Sequence, residues 1–276
     1  MLDEAIISQH YTHGNLLGAI EGSVSKLGKT ISSVTVDDLA PVDEFHIGSR
    51  IATAHLLDQL QYSRTDRILD IGCGLGGAAR YVASKYGCKV DGIDLTPEYI
   101  DTGNTLCGWV GLDKQVKLHQ GSALDLPFED NSFDGAFMLH VGMNIDDKAA
   151  LFKEVGRVLK PGARFGVYDV MRIEDGEIPY PMTWAPDAGT SSLATPDAYR
   201  DALEQAGFNV FAETNRRDFA LEFFKQMQEK VKANGGPPPL GLHTLMQDST
   251  PVKLKNLVDS IAAGLIAPVE IIGQKS

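Results

Sequence analysis

A cluster of glycines follows a short apolar segment in the stretch LDIGCGLGGAAR. Asp70 precedes the turn, and the glycines within it are Gly72, Gly74, Gly76 and Gly77. Glycine is needed where a chain turns sharply and a bulky ligand must approach its backbone, because glycine has no Cβ in the way. Three of these glycines also have the spacing of a dinucleotide fingerprint. The cluster therefore predicts a cofactor site but leaves two classes of cofactor open.

Two carboxylates distinguish between these cofactors. Asp94 ends the next apolar segment, GIDL, where a carboxylate can accept hydrogen bonds from both ribose hydroxyls of NAD or of S-adenosylmethionine. Asp70 would face the cofactor directly. Its charge would repel a pyrophosphate but would stabilise the ammonium group of a methionine moiety. Asp94 suits either cofactor, so it is Asp70 that favours S-adenosylmethionine.

Alternating strands and helices must position these residues. The segments RILDIG, CKVDGIDL, VKLHQGSA, FDGAFMLHV and ARFGVYDV predict buried strands, with short glycine-containing connections to helices. We expect Gly87 to end the helix after the glycine turn, Pro97 to begin the next helix, and Thr195 to cap a later one. This alternation indicates a parallel, doubly wound sheet with its ligand at the carboxyl ends of the strands.

The region before the first strand is predicted to be helical. Residues 1–62 form this N-terminal cap, with a break at residues 39–49. The helix after the break has apolar residues at helical spacing, which we expect to face the core: Ile51, Ala54, Leu57 and Leu60.

The rest of the chain, residues 63–276, is predicted to be the cofactor-binding domain with two insertions. Residues 171–195 carry prolines and aromatic residues and indicate a lid, and residues 217–264 form a second, helical insertion. The segment NVFAETN between them and the final segment PVEIIGQ predict the last two strands.

Composition excludes several classes of function. The 276 residues include 25 Lys and Arg against 37 Asp and Glu, a formal net charge of −12, which argues against a nucleic-acid partner because phosphates require a basic surface. Cys73, Cys88 and Cys107 are too few and scattered for a disulfide framework or a zinc cluster, so we expect reduced thiols and no metal. The sequence lacks a signal-peptide pattern and a membrane-spanning apolar run. We expect a cytoplasmic protein without a membrane partner, as a monomer or homodimer.

The order of these motifs resembles that of the class I S-adenosylmethionine-dependent methyltransferases. The glycine turn, Asp94, the segment GSALDLPFEDNSFDGAFMLHV and the run LKPGARFGVYD follow one another as in that family, over roughly residues 60–215. The small-molecule branch, with ubiquinone/menaquinone-biosynthesis and sarcosine/dimethylglycine-type enzymes, is most similar. The resemblance implies a Rossmann-like α/β fold, a doubly wound seven-stranded sheet with an antiparallel last strand. It also implies transfer of a methyl group from S-adenosylmethionine to a small-molecule acceptor.

The resemblance also extends the set of cofactor contacts, which becomes Asp70, Gly72, Gly74, Gly76, Asp94, Leu95, Ser122, Ala123 and His140. Leu95 would pack against the adenine, and a backbone amide near Ala123 would reach a ring nitrogen. Many relatives carry Asp where this chain has Ser122, although a serine can still accept a hydrogen bond. His140, at the end of the fourth strand, would lie where cofactor and acceptor meet.

The acceptor side is less constrained, because displacement at a sulfonium needs alignment, exclusion of water and a free lone pair rather than an obligatory base. The candidates for acceptor contact or proton removal are His140, His46, Tyr11 and His13. Weaker candidates are Tyr168, Asp169, Trp184 and His243.

Each of these candidates also has a structural interpretation. His140 can be a core histidine that bonds to backbone, and His46 can cap or pack a helix. Asp169 can anchor a loop, and Trp184 can pack within the lid. The N-terminal pair Tyr11 and His13 lies where chains often fray.

Three functional alternatives follow from the same residues. Histidine, tyrosine and aspartate in the cap, and the lack of a long apolar groove, favour an N or O acceptor, with C-methylation of a quinol-type ring as the alternative. An NAD(P)-dependent oxidoreductase is the alternative from another class, although no hydride-transfer constellation is evident. A cofactor-binding protein without catalysis is the third.

Overall fold

A seven-stranded sheet forms the centre of the molecule. The computed structural model describes residues 4–276. The strands are β1 (Arg67–Ile71), β2 (Lys89–Asp94), β3 (Val116–Gln120), β4 (Phe133–Leu139), β5 (Leu159–Arg172), β6 (Phe208–Asn215) and β7 (Ile266–Lys275). Their order across the sheet is β3-β2-β1-β4-β5-β7-β6, and β7 is antiparallel to both of its neighbours. The predicted Rossmann-like, doubly wound sheet with an antiparallel last strand is confirmed.

The register of the central strands brings their carboxyl ends together. Asp70 of β1 lies opposite Gly92 of β2 on one side and Phe137 of β4 on the other. These strands are apolar runs because helices cover both faces of the sheet, as is typical of parallel sheets. The polar residues at the ends of β1 and β2 and directly after β4 are therefore held at one edge of the sheet.

Eleven α-helices surround the sheet within residues 4–276. They are α1 (Glu4–Tyr11), α2 (Leu16–Lys26), α3 (Val36–Asp43), α4 (Ser49–Leu60), α5 (Gly77–Tyr86), α6 (Pro97–Trp109), α7 (Lys148–Val158), α8 (Pro196–Gln205), α9 (Arg217–Ala233), α10 (Leu242–Met246) and α11 (Thr250–Ala262). The predicted termini are confirmed: Gly87 caps α5 in the left-handed region, Pro97 begins α6, and the Thr195 hydroxyl accepts from the Ala198 amide.

The N-terminal cap is helical as predicted, but its break is shorter than expected. Helix α3 occupies the first part of the predicted break because Thr35 and Asp38 form a capping box that begins it. Ile51 was expected to face the core, and this was wrong, since its side chain is 59% exposed. Helix α4 buries the i, i+4 row that contains Leu56 and Leu60, so Ile51 lies on the opposite face.

The two predicted insertions pack against each other. Residues 173–195 contain only a short 3₁₀ turn at Ala188–Thr190, and α9, α10 and α11 lie within residues 217–264. Trp184 from the first insertion joins Phe224 and Ile261 from the second in one apolar cluster. The predicted domain boundary between residues 62 and 63 stays a prediction. Helix α4, on the cap side of it, packs directly on the sheet through Leu56 and Leu57.

No helix among residues 4–276 is both long and apolar enough to span a bilayer. The three cysteines are buried and unpaired. Within the same part of the chain, no group of three or more His, Cys, Asp or Glu side chains is arranged to bind a metal ion.

Candidate functional site

A deep cavity opens at the carboxyl ends of β1, β2 and β4. Its empty space, including its open mouth, is about 1120 Å³, ample for a ligand of cofactor size. Asp70 and Asp94, the two carboxylates singled out in the sequence, both line it, together with Gly72 and Gly74 of the glycine turn. We call this space the first cavity.

The glycine turn shapes the floor of the first cavity. Gly72 and Gly74 have φ angles of 67° and 52°, in the left-handed region that favours glycine. A Cβ on Gly72 would lie 2.2 Å from Cγ2 of Val141, so no larger residue fits there. Gly76, also expected at the site, does not line the cavity. It caps α5, and its missing Cβ faces Leu118 instead.

Asp70 is a buried carboxylate with an unsatisfied oxygen. Its side chain is nearly inaccessible, and Oδ2 has no hydrogen-bond partner among the described residues. Burial raises the pKa of Asp70 well above its ordinary value, and the nearby charge of Asp94 raises it further. A positively charged donor in the cavity would lower the pKa of Asp70 and so oppose both effects.

Asp94 is held in place by the backbone around it. Its Oδ2 accepts a hydrogen bond from the Gly74 amide at 2.9 Å, and its Oδ1 accepts one from the Thr96 amide at 2.9 Å. Burial raises the pKa of Asp94, which the two amide donors oppose. The carboxylate therefore has a fixed orientation, with lone pairs left for a ligand.

The segment after β3 contributes an apolar part of the lining. Ala123 and Leu124 line the first cavity, as does Leu95 after β2. Ser122 does not. Its hydroxyl donates to Oε1 of Glu4 at 2.5 Å and accepts from the Leu124 amide at 3.0 Å. Ser122 therefore shapes this turn and joins it to the N-terminal helix.

Two histidines line the first cavity with their rings close to each other. The ring centroids of His46 and His140 are 5.9 Å apart, and both residues line the cavity. Tyr168 packs against both rings but does not line the cavity, and its buried hydroxyl has no partner among the described residues.

The backbone of His140 has an unusual conformation. Its φ of 56° is rare for a non-glycine residue, and its amide donates to the Tyr168 carbonyl at 2.7 Å. Its Nε2 is buried without a partner among the described residues. Burial lowers the pKa of His140 well below its ordinary value, and His46 lowers it further. The predicted alternative, a core histidine fully satisfied by backbone, does not describe this ring.

His46 is neutral and has a defined tautomer. Its Nε2 lies 3.1 Å from the Ser49 carbonyl oxygen, which can only accept, so Nε2 carries the hydrogen. The Thr53 hydroxyl is 2.9 Å from the same nitrogen. Burial lowers the pKa of His46 to about 4. Its Nδ1 consequently keeps a lone pair at neutral pH.

The N-terminal candidates separate into different places. Tyr11 lines the first cavity, and the amide nitrogen of Asn144 donates to its hydroxyl at 3.2 Å. His13 does not line that cavity. Its amide donates to Glu98 at 2.5 Å, and His13 lines a neighbouring space instead.

That neighbouring space, the second cavity, is lined mainly by the cap and the helical insertion, with Tyr99 of α6 and Thr183 of the first insertion. Its empty space is about 580 Å³ including the mouth, and His10, His13 and Lys253 are among its lining residues. The two cavities share three aromatic residues, Tyr11, Phe45 and Tyr99.

The weaker candidates have structural surroundings. Asp169 accepts from the Tyr199 hydroxyl at 2.8 Å and from the Val170 amide, and burial raises its pKa to about 6. The indole of Trp184 is buried and donates to the Ser191 hydroxyl at 2.9 Å. Neither residue, nor His243, lines either cavity.

Sequence reasoning missed several residues of the lining. Tyr99 lies in the first turn of α6, and its closeness to the end of β2 was a usable signal. Asn144 follows His140 by four residues in the loop after β4, where polar residues approach the ligand edge. Phe45 had no signal, because only the docking of the cap brings it to the cavity.

The fold and site can be compared with known proteins. Residues 69–167 match the family described as a methyltransferase domain. O-methyltransferase rstn1 of Aspergillus nomiae is 30% identical to this chain, over 66% of the chain and 81% of that protein.

Two solved structures have a similar fold. The geranyl diphosphate C-methyltransferase of Streptomyces coelicolor, in complex with Mg²⁺, geranyl diphosphate and S-adenosylhomocysteine, has a TM-score of 0.67 and 20% identity, over 82% of this chain and 80% of that one. Phosphoethanolamine N-methyltransferase 2 of Haemonchus contortus, in complex with S-adenosylmethionine, has a TM-score of 0.71 and 20% identity, over 92% of this chain and 59% of that one.

These proteins methylate, and none supports the alternative of a nicotinamide-dependent oxidoreductase. The matched domain, the coverage of an identified relative and the sheet order agree with the motifs in the sequence. The chain belongs to the class I S-adenosylmethionine-dependent methyltransferases.

Proposed function

We propose that the first cavity binds S-adenosylmethionine, with Asp70 and Asp94 at the two polar ends of the cofactor. The observation that carries this proposal is the buried, unpartnered Oδ2 of Asp70 on the cavity wall. Leaving such an oxygen unsatisfied costs about 1–3 kcal/mol, so the wall is complementary to a cationic donor. The ammonium group of the methionine moiety is that donor.

The other contacts follow from the lining. Asp94 accepts the ribose hydroxyls with its remaining lone pairs, and Gly72 and Gly74 let the ligand approach the backbone. Leu95 and Ala123 surround the adenine. Gly76 and Ser122 act indirectly, Gly76 by beginning α5 and Ser122 by bonding to the Leu124 amide.

The acceptor is a small molecule that presents nitrogen or oxygen at the two histidines. When bound, S-adenosylmethionine would supply a methyl group on a positively charged sulfur: a lone pair of the acceptor bonds to the methyl carbon as the carbon–sulfur bond breaks, and S-adenosylhomocysteine leaves. Nδ1 of neutral His46 accepts the acceptor's proton, and Nε2 of His140 orients its heteroatom. Tyr11, held by Asn144, closes the cavity against water, and His13 contacts the distal part of the acceptor.

The buried, unpartnered Nε2 of His140 supports this choice over the C-methylation of a quinol-type ring, since a nucleophilic nitrogen or oxygen can bond to it directly and a ring carbon cannot. We further propose a cytoplasmic monomer or homodimer without a nucleic-acid partner, in keeping with reduced thiols and a net charge of −12.

Cofactor binding is tested first by calorimetry with S-adenosylhomocysteine and with NADH. We expect only the former to bind. Asp70→Asn should weaken its binding at least tenfold while the melting temperature stays level or rises, because a buried unpaired charge is removed. Asp91→Asn is the matched control, since Asp91 bonds to Arg67 and His119 away from the cavity. Undiminished binding by Asp70→Asn would overturn the ammonium assignment.

The role of His46 is tested with an acceptor found by screening with labelled S-adenosylmethionine. His46→Asn should lower kcat by about 10²–10⁴, the usual contribution of a general base, and leave S-adenosylhomocysteine affinity within threefold. His140→Gln should mainly raise KM for the acceptor. If kcat is retained in His46→Asn, another group accepts the proton.

A further inference from the structure

The second cavity contains a buried lysine without a counter-charge. Lys253 of α11 lines this cavity, the residue as a whole is only 9% exposed, and its ammonium group forms no hydrogen bond or ion pair with a described residue. Burial lowers the pKa of Lys253. An ammonium group that has lost most of its contact with water and has no partner is unfavourable, so such groups normally pair with an anion.

The surroundings of Lys253 are cationic or neutral. Among the described residues that line the second cavity there is no carboxylate, although the chain has 37 Asp and Glu. His10 and His13 are the other titratable nitrogen groups in the lining, and the Lys253 charge helps to lower the pKa of His10, after burial. An anion is therefore the ligand that this cavity accommodates best.

The position of the second cavity connects it with methyl transfer. It borders the first cavity at Tyr11, Phe45 and Tyr99, and the Tyr99 ring lies about 6 Å from each of the other two. A ligand that extends past these rings would have one end beside Lys253 and the other near the histidines. The two cavities thus suit the two ends of one acceptor.

We propose that the second cavity binds a carboxylate or phosphate group of the methyl acceptor, with Lys253 as its counter-ion. This proposal rests on the proposed function, because it assigns the other end of the acceptor to the first cavity. It defines the substrate as an acid that carries a nucleophilic nitrogen or oxygen. The carboxylate of the cofactor's methionine moiety is the competing source of the anion.

The first test is a titration of inorganic phosphate into protein saturated with S-adenosylhomocysteine, followed by NMR at constant ionic strength. We expect saturable binding in the millimolar range, weakened at least tenfold in Lys253→Met and retained in Lys253→Arg. Lys255→Met is the matched control, because Lys255 lies on the same helix, is 71% exposed and pairs with Asp259. Absence of saturable binding, or equal binding by Lys253→Met, would overturn the proposal.

The second test separates the two sources of the anion. Calorimetry of S-adenosylhomocysteine should give the same Kd within twofold for Lys253→Met and the wild type. A tenfold weaker Kd would assign Lys253 to the cofactor carboxylate and overturn the acceptor site. The melting temperature of Lys253→Met should not fall, since the unpaired charge is removed. If S-adenosylhomocysteine fails to bind the wild type at all, the cofactor assignment has failed instead.

Discussion

The two cavities are built from different parts of the chain. The first lies on strand ends and a glycine turn, where the buried Asp70 and the half-buried Asp94 present their carboxylates. The second lies between helical elements of the cap and the insertion, and its buried charge is the cation Lys253. Among the described residues, they have only three aromatic side chains in common.

With the roles proposed for the two cavities, this difference explains how one fold could keep a cofactor and change its acceptor. Backbone hydrogen bonds between parallel strands fix the positions of Asp70 and Asp94 within narrow limits. The cap and insertion are held by side-chain packing, which tolerates substitution more readily. Acceptor specificity can therefore change without disturbing the residues on the strands.

The strongest expected effect concerns the ion pair that joins the N-terminal cap to the sheet domain. Asp43 at the end of α3 pairs with Arg80 of α5, and both side chains are buried. Arg80→Met should lower the free energy of unfolding by about 3–5 kcal/mol, because it leaves the Asp43 charge buried and unpaired. Urea unfolding measures this change.

Two further variants test whether the loss in Arg80→Met comes from the unpaired charge of Asp43. Asp43→Leu combined with Arg80→Met should recover most of the loss, since no unpaired charge remains. Lys85→Met, on the same helix, removes an exposed pair with Asp58 and should cost below about 1 kcal/mol. Equal losses for Arg80→Met and Lys85→Met would show that the cap is not joined to the sheet domain in this way.

A smaller effect is expected at the ribose position. Asp94→Ala should weaken S-adenosylhomocysteine binding by about 1–3 kcal/mol in calorimetry, because hydrogen-bond partners in the ligand lose their acceptor. Asp125→Ala, in the exposed turn after β3, should leave the affinity unchanged. Unaltered affinity in Asp94→Ala would remove the carboxylate from the cofactor site and weaken the contrast between the cavities.

The smallest expected effect is a pH dependence of the free energy of unfolding that arises from His46. The pKa of His46 is about 4 in the folded protein and about 6.5 when unfolded, so between these values only the unfolded chain takes up the proton. The free energy of unfolding should therefore fall as pH decreases through this window. Between pH 7.5 and 4.5 the free energy of unfolding of the wild type should fall by about 1–2 kcal/mol more than that of His46→Asn. This value is smaller than the full difference between the two pKa values would give.

Urea unfolding of both proteins at the two pH values measures this difference. Asp169, whose raised pKa is about 6, titrates in both proteins and cancels in the comparison. Equal losses would mean that the fold does not lower the pKa of His46.

Much of the cofactor side was predictable from local sequence. Asp70, Gly72, Gly74 and Asp94 were identified because each lies at a strand end or in a turn whose geometry depends on a few neighbouring residues. Ser122 was expected among the contacts but bonds to Glu4, a residue 118 positions away in sequence. No local pattern indicates a contact of that kind.

The sequence by itself determined the strands, the glycine turn and the carboxylates that the turn presents, because hydrophobic periodicity and backbone conformation are local properties. The tertiary structure alone decided that Phe45 and Tyr99 separate two cavities and that Lys253 is buried without a counter-charge. Those features depend on how the cap and the insertion dock, which is set by packing between residues distant in sequence.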